Sequence, residues 1–391
     1  MNIYDKIKNL GQVFTPESIV SQMLGLKKNN GNTLEPSCGN GAFLKHLNNA
    51  VGIEIDPIYK GKNILNIDFF DYSIEEKFDT IIGNPPYVKF QDIPEETKLK
   101  LEKYKSLFDK RSNLYLFFIY KSILHLKPHG ELIFITPRDF LKATSSINLN
   151  TFIYNNGTIT DLIDLGDNKI FGDYTPNCII WRFEKDNFTR RTNTYKEFTL
   201  SNGQLLFTDN QYPVKFSDIF FVKVGAVSGA DKIFSNDEYG NADFVCSFTA
   251  KTGKTKKMIF NKKIDYLNKF KETLMKRRIK KFDENNWWEW GRLHYQSQEK
   301  RIYVNCKTRN KEPFFLHPSN YYDGSVLAIF PKNQELDLKT LCDKLNKVNW
   351  FELGFVCDGR FIFSQRSLEN CMLPEDFAIY KVKTKQRNLE Y

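Results

Sequence analysis

Residues 78–87 read Phe-Asp-Thr-Ile-Ile-Gly-Asn-Pro-Pro-Tyr, an apolar run that ends in a polar loop stiffened by two prolines. The run is typical of a buried strand, and the glycine and prolines mark its end. In open α/β sheets, the loops at the carboxyl ends of the strands form the ligand sites. This stretch therefore predicts a largely parallel sheet with a rigid polar loop at its functional edge.

The residues on both sides of this stretch continue the pattern of apolar runs that end at polar loops. Across residues 32–182, apolar β-branched runs alternate with helix-like stretches, and acidic residues, glycine or proline stand where the runs end. Seven strands are predicted, at residues 33–34, 50–55, 63–67, 80–82, 131–136, 159–165 and 178–183. The longest predicted helix covers residues 113–126 and stops before the Pro-His-Gly of residues 128–130. The pattern predicts an α/β fold with a doubly wound, mostly parallel sheet.

A chain of 391 residues favours two domains. Residues 185–193 are polar and charged, which is typical of a linker. We therefore predict a first domain over residues 1–190 and a second, α+β domain over residues 191–391.

The composition excludes several classes of protein. No apolar run approaches the roughly 18 residues that a membrane span requires, and the first residues lack a signal-peptide pattern, which predicts a cytoplasmic protein. The seven cysteines are scattered and none are spaced Cys-x-x-Cys, so free thiols are expected rather than disulfides or structural zinc. No metal site is predicted.

Positive charge is concentrated in one segment. The net charge is +10, and residues 251–310 hold 18 Lys or Arg against 6 Asp or Glu. Cations that bind phosphate and aromatic rings that stack on bases are interleaved there. The candidate DNA contacts are Lys276, Arg277, Arg278, Lys280, Lys281, Trp287, Trp288 and Arg292. A solvated helix face followed by core tryptophans would give the same pattern.

A second glycine-containing loop lies upstream. Residues 34–44 read Leu-Glu-Pro-Ser-Cys-Gly-Asn-Gly-Ala-Phe-Leu, between a predicted strand and a predicted helix. Gly39 and Gly41 would let a ligand approach the backbone closely. Leu44 stands where a dinucleotide-binding loop would have a third glycine. We therefore predict a nucleotide pocket of another kind.

Acidic residues end the next two strands. Glu54 is placed to accept hydrogen bonds from both hydroxyls of a ribose. Asp68 is placed to accept from an adenine amino group, while the ring of Phe69 packs on the base. The same pocket is predicted to include three more residues, Glu35, Ser37 and Ile55.

The loop at residues 84–87 suits methylation of an exocyclic amino group. The lone pair of such a nitrogen is delocalised into its ring, so the nitrogen is a poor nucleophile. The side-chain oxygen of Asn84 and the carbonyl of Pro85 would accept its two hydrogens and favour a pyramidal nitrogen. Tyr87 would stack on the base, which must first be extruded from a duplex.

With these motifs, the sequence resembles the adenine-N6 DNA methyltransferases of bacterial restriction-modification systems. The likeness is to the TaqI-like subgroup, whose cofactor motifs come first and whose recognition domain is C-terminal. It rests on Gly-Gln-Val-Phe-Thr-Pro at residues 11–16, Glu-Pro-x-x-Gly-x-Gly at residues 35–41 and the loop at residues 84–87, and it extends to about residue 183. It implies a Rossmann-like fold, S-adenosylmethionine as cofactor and double-stranded DNA as substrate.

The resemblance also implies roles for individual residues. Thr15 and Asn84 would contact the cofactor, and Phe118 would lie beside the adenine of the cofactor. Phe171 would pack on the flipped base as a partner to Tyr87. A monomer acting on DNA is expected, with a cognate restriction endonuclease of the same site as a further partner.

Other substrates share the four-residue loop. Enzymes that methylate ribosomal RNA guanine or the glutamine of release factors carry it too, and cytosine-N4 methyltransferases usually have Ser in place of Asn84. An inactive methylase-like regulator, or a modification subunit that needs a separate specificity partner, is a further alternative. The motif at residues 11–16 and the basic C-terminal half favour DNA adenine. The DNA sequence recognised is not predicted.

Overall fold

The chain folds into two compact units that divide at residues 210/211. The computed structural model describes residues 14–166, 177–201, 203–209, 212–357 and 360–381.

A seven-stranded sheet is the centre of the first unit. Its strands are β1 (Thr33–Glu35), β2 (Ala50–Ile53), β3 (Ile64–Leu65), β4 (Phe78–Gly83), β5 (Leu126–Pro137), β6 (Gly157–Asp164) and β7 (Cys178–Lys185). Their order is β3-β2-β1-β4-β5-β7-β6. All neighbours from β3 to β5 are parallel, and β7 is antiparallel to both β5 and β6. The seven predicted strands and the mostly parallel sheet are confirmed.

Four α-helices of the described residues accompany these strands: α1 (Glu17–Gly25), α2 (Glu95–Leu101), α3 (Leu114–His125) and α4 (Ile147–Asn156). α3 confirms the longest predicted helix, and the Asn113 side chain caps it by accepting from the backbone N–H of Tyr115. The proline and glycine at residues 128–130 do not end α3, because β5 begins directly after it at Leu126.

The helix predicted after Gly41 is wrong. A 3-10 turn at Leu44–His46 stands in its place. β2 begins at Ala50, so the span is too short for a regular helix and its following loop. Leu44 also packs closely on Gly52. A Cβ added at Gly52 would lie only 2.6 Å from Leu44 Cδ1.

Residues 197–208, which follow the predicted linker, form a hairpin of the first unit. Its strands are β8 (Glu197–Ser201) and β9 (Gln204–Thr208). Phe198 is fully buried, and its ring lies 5.4 Å from that of Tyr154 on α4. Asn150 of α4 donates to the carbonyl of Gly203 at 2.9 Å. Because these contacts tie the hairpin to α4, the first unit extends beyond the predicted boundary at 190/191.

The second unit is built from short strands and short helices, which confirms the expected α+β class. Its strands are β10 (Val214–Lys215), β11 (Phe220–Val224), β12 (Ala242–Val245), β13 (Lys256–Met258), β14 (Ile302–Asn305), β15 (Lys307–Thr308), β16 (Phe314–Phe315), β17 (Tyr321–Tyr322), β18 (Val326–Pro331), β19 (Val356–Cys357), β20 (Arg360–Ile362) and β21 (Met372–Leu373). Its helices are α5 (Phe216–Ile219), α6 (Asp231–Phe234), α7 (Thr249–Thr252), α8 (Asp265–Asn268), α9 (Lys271–Met275), α10 (Leu338–Lys347) and α11 (Gln365–Glu369). The largest sheet, β11-β18-β14-β16, is antiparallel throughout.

Candidate active site

A cleft of about 950 Å³, measured with the solvent at its mouth, opens at the carboxyl ends of β1, β2 and β4. Ten residues predicted to bind a cofactor line it: Thr15, Glu35, Ser37, Gly39, Glu54, Ile55, Asp68, Phe69, Asn84 and Phe118. The parallel strands therefore bring residues that are far apart in the sequence to one edge of the sheet.

The two glycines of the upstream loop differ in their roles. Both have a positive φ, +50° at Gly39 and +73° at Gly41. A Cβ at Gly39 would meet only the ring of Phe14, at 4.0 Å across the cleft. Gly41 does not line the cleft, and its N–H donates to the carbonyl of Cys38 at 2.7 Å. Gly39 therefore keeps the cleft open, and Gly41 makes the turn behind it.

Glu54 ties the end of β2 to this loop. Its carboxylate accepts from the N–H of Gly39 at 2.7 Å and from the N–H of Asp56 at 2.8 Å. Burial raises the pKa of Glu54, and the two N–H donors oppose the rise. Each carboxylate oxygen can accept a second hydrogen bond. Glu54 can therefore hold the loop and bind ligand hydroxyls at the same time.

Glu35 is more deeply enclosed. It is 2% exposed, and it accepts from the N–H of Leu44 at 3.1 Å, at the start of the 3-10 turn. Burial raises the pKa of Glu35 well above its usual range. These contacts make Glu35 a residue that shapes the loop, although its side chain also reaches the wall of the cleft.

An apolar slot with one acidic edge lies farther along the cleft. The rings of Phe69 and Phe118 stack with centroids 5.0 Å apart, and Ile55 is half exposed at the cleft. Asp68 caps the turn at Phe69–Asp71 by accepting from the N–H of Phe70 at 2.9 Å. Rings with a carboxylate at their edge suit a flat base that carries an amino group.

Sequence reasoning missed residues that complete this slot. Thr97 Oγ1 donates to Asp68 at 3.2 Å, and Lys100 Nζ donates to it at 3.1 Å. Both lie on α2, just after the loop at residues 84–87. Pro94 preceding an acidic turn was a recognisable helix start, but no local pattern shows that α2 packs on Asp68. Phe14 also lines the cleft, although only its neighbour Thr15 was predicted.

The loop after β4 contributes Asn84 and Pro86 to the wall of the cleft. The amide nitrogen of Asn84 donates to Thr15 Oγ1 at 3.2 Å, and Ser37 Oγ donates to the carbonyl of Asn84 at 3.2 Å. Asn84 is thus held by two other cleft segments. Of the two prolines, Pro86 lines the cleft and Pro85 does not. The acceptor role of the Pro85 carbonyl stays a prediction.

Tyr87 is packed inward. Its side chain is 7% exposed, its hydroxyl donates to the carbonyl of Ile135 at 2.9 Å, and its ring lies edge-on to Tyr115. Stacking of Tyr87 on a substrate base stays a prediction, and it requires the ring face to be uncovered. Phe171, its predicted partner, lies outside the described residues.

Two of the predicted DNA contacts are not available at the surface. Arg277 is 9% exposed, and its guanidinium donates to the carbonyls of Leu274, Ser228 and Trp287. Burial lowers the pKa of Arg277 to about 10. Trp287 is 2% exposed in the core of the second unit. Both side chains therefore contribute to the packing of the second unit, and neither is exposed for contact with DNA.

The other predicted DNA contacts remain accessible to solvent. Lys276, Arg278, Lys280, Lys281 and Arg292 are exposed, and Trp288 is half-buried under Lys263. Lys280 forms an ion pair with Glu289 at 2.8 Å. Four of the six residues at 276–281 are therefore cations that a polyanion could reach.

The described parts of the two units show neither a metal-binding cluster nor a membrane-spanning helix. No group of three or more His, Cys, Asp or Glu side chains in them is arranged to hold a metal ion. No helix among the described residues is long and apolar enough to cross a membrane. The six cysteines whose side chains are described are free thiols.

Sequence comparison finds similarity to known methyltransferases. Residues 24–171 match the family described as Eco57I restriction-modification methylase. The Type II methyltransferase M.HincII of Haemophilus influenzae is 34% identical over 222 residues, which cover 54% of this chain and 42% of that protein. M.TthHB8I of Thermus thermophilus is 31% identical over 198 residues, which cover 46% of each chain. The resemblance to bacterial restriction-modification methyltransferases is confirmed, and the chain spans less than half the length of these curated relatives.

Structure comparison supports the fold. The Type IIL restriction-modification enzyme MmeI, solved in complex with DNA, matches with a TM-score of 0.57 at 12% identity. The match covers 94% of this chain and 64% of that one. At this identity the likeness concerns the fold alone, and it agrees with the Rossmann-like methyltransferase fold that the sequence predicted.

Proposed function

We propose that this chain, whose residues 24–171 match the Eco57I restriction-modification methylase family, is an S-adenosylmethionine-dependent DNA methyltransferase of a restriction-modification system. Its target is the N6 amino group of adenine. The observation that carries the proposal is one cleft that joins the nucleotide-binding residues to Asn84.

The cleft suits each part of S-adenosylmethionine. Glu54 supplies acceptors for the ribose hydroxyls, and the slot formed by Phe69 and Phe118, with Asp68 at its edge, suits the adenine. Thr15 also lines the cleft and accepts a hydrogen bond from Asn84, so we assign the methionine portion to this pair. Bound there, the cofactor supplies an electrophilic sulfonium methyl group.

Asn84 activates the adenine amino group for methyl transfer. Its amide nitrogen donates to Thr15, so the amide oxygen is the atom that accepts from the adenine amino group. A second acceptor, the Pro85 carbonyl, accepts a hydrogen bond from the other N–H of the same amino group. The nitrogen then becomes pyramidal and directs its lone pair to the methyl group, a stabilisation that grows toward the transition state.

DNA is the proposed substrate because exposed cations of the second unit match a polyanion. A base inside a duplex cannot enter a cleft of this kind, so the target adenine is flipped out, at a cost of a few kcal/mol. The Tyr87 ring would then stack on it, together with Phe171. We further propose a monomer acting on DNA in the cytoplasm, with a cognate endonuclease of the same site as a partner.

The deciding experiment follows labelled methyl groups from S-adenosylmethionine. Purified protein is offered mixed-sequence duplex DNA, ribosomal RNA and protein extract, and the modified nucleosides are identified by mass spectrometry. We expect label in DNA as N6-methyladenine. Label in N4-methylcytosine would contradict the target base. Label in RNA or protein alone would overturn DNA as the substrate.

A smaller test concerns the cofactor loop. Gly39→Ala adds a Cβ that projects into the cleft, so we expect binding of S-adenosylhomocysteine to weaken at least about tenfold, measured by calorimetry. Gly253→Ala is the matched control, because Gly253 also has a positive φ and open surroundings but lies in the second unit. Both changes cost about 1–2 kcal/mol of backbone strain. Equal cofactor affinity in the two variants would contradict the role of Gly39.

A further inference from the structure

A buried lysine lies behind the adenine slot. Lys121 of α3 is 1% exposed, and its Nζ donates to the backbone carbonyls of Phe69 and Tyr72, at 2.5 and 2.6 Å. These carbonyls stand at the two ends of the 3-10 turn at Phe69–Asp71. One ammonium group therefore fixes the backbone of a turn whose residues line the cleft.

The same ammonium contacts the ring that forms the slot. Lys121 Nζ lies 4.8 Å from the centroid of the Phe69 ring, within cation–π range. The Phe69 ring is also stacked on Phe118, from the same helix as Lys121. Position and tilt of the Phe69 ring are thus set from α3.

Burying the ammonium group of Lys121 behind the adenine slot costs free energy. Removing it from water is expensive, and its described hydrogen bonds go to neutral carbonyl oxygens rather than to a carboxylate. A methionine of similar length would fill the space without that cost. Packing alone does not explain the residue, whereas a requirement for a fixed turn does.

We propose that Lys121 is a positioning residue for cofactor binding, which holds the turn at Phe69–Asp71 so that Phe69 and Asp68 form the adenine slot. This inference rests on the proposed function. It concerns how tightly the adenosine part of the cofactor binds, and Lys121 itself does not touch the cofactor.

The charge on Lys121 is lost within an accessible pH range. Burial, aided by repulsion from Lys103, lowers the pKa of Lys121 to about 8, while Asp68 and Asp71 oppose the shift. His125 on the same helix stays neutral above pH 7, because burial lowers its pKa to about 4. Below pH 8 the ammonium holds the turn. Above it, the amine makes weaker hydrogen bonds and no cation–π contact.

The experiment measures the affinity for 5′-methylthioadenosine, which carries the adenosine part and has no group that titrates between pH 7 and 9. Wild-type protein, Lys121→Met, Lys121→Arg and Lys103→Met are compared by calorimetry at pH 7. Lys103→Met is the matched control, because Lys103 donates to the Phe70 carbonyl of the same turn at 3.2 Å but from an exposed position. Melting temperatures without ligand show which variants are folded.

We expect Lys121→Met to weaken binding about 10- to 100-fold and Lys103→Met to change it less than about twofold. Lys121→Arg should recover part of the loss. Wild-type affinity should fall about three- to tenfold from pH 7 to pH 9, and folded Lys121→Met should show no such fall.

A folded Lys121→Met protein that binds like wild type would overturn the inference and leave the proposed function standing. A flat pH profile of the wild type would overturn it as well, and this readout decides if Lys121→Met does not fold. A wild-type protein that binds neither 5′-methylthioadenosine nor S-adenosylhomocysteine would overturn the proposed function and this inference with it.

Discussion

Asn84→Ala is expected to lower the single-turnover rate of DNA methylation about 100- to 1000-fold. The side-chain oxygen of Asn84 is proposed to accept from the adenine amino group most strongly when the nitrogen becomes pyramidal. Removal of one such preorganised partner in an enclosed site typically costs this much. Because the interaction strengthens in the transition state, the loss should appear in the rate and much less in the KM for DNA.

Two measurements separate this effect from damage to the fold. Binding of S-adenosylhomocysteine to Asn84→Ala should stay within about fivefold of wild type, because Asn84 makes one of many contacts along the cleft. Asn148→Ala removes an exposed amide from α4 and should keep full activity. An Asn84→Ala protein that retains more than about a tenth of the wild-type rate would contradict the proposed chemistry.

The sequence allowed the sheet and most of the cleft to be predicted, because both depend on local patterns. Each strand is an apolar run with a clear end, and the residues after β1, β2 and β4 fall at one edge by topology alone. The 3-10 turn at Leu44–His46 was not predictable in this way. Helix periodicity does not reveal that Leu44 must pack against Gly52.

Features that depend on contacts across the fold were missed for the same reason. Counting charges placed Arg277 among the DNA contacts, whereas three carbonyl groups from separate segments enclose it. Lys121 likewise looks like an ordinary polar position on an otherwise apolar helix. Its importance appears only when the turn at Phe69–Asp71 is placed over α3. Burial of a cation is a tertiary property that sequence composition does not encode.

The exposed part of the basic segment carries the second large prediction. Replacing Lys276, Arg278, Lys280 and Lys281 by Gln is expected to weaken binding to duplex DNA about 10- to 100-fold at moderate salt. Arg277 is left intact, because its loss would leave three carbonyl groups without their donor and destabilise the second unit. Each lost phosphate contact should also flatten the slope of log affinity against log salt by about 0.9.

Fluorescence anisotropy with a labelled duplex, titrated at several salt concentrations between roughly 50 and 200 mM, measures both quantities. The control replaces four exposed lysines outside residues 251–310, Lys311, Lys332, Lys339 and Lys347, and so changes the net charge equally. A general effect of charge would alter both proteins alike, whereas direct contacts would flatten the slope only in the first. Equal slopes in the two proteins would show that residues 276–281 form a solvated face, and the DNA contacts would then have to be sought on other parts of the second unit.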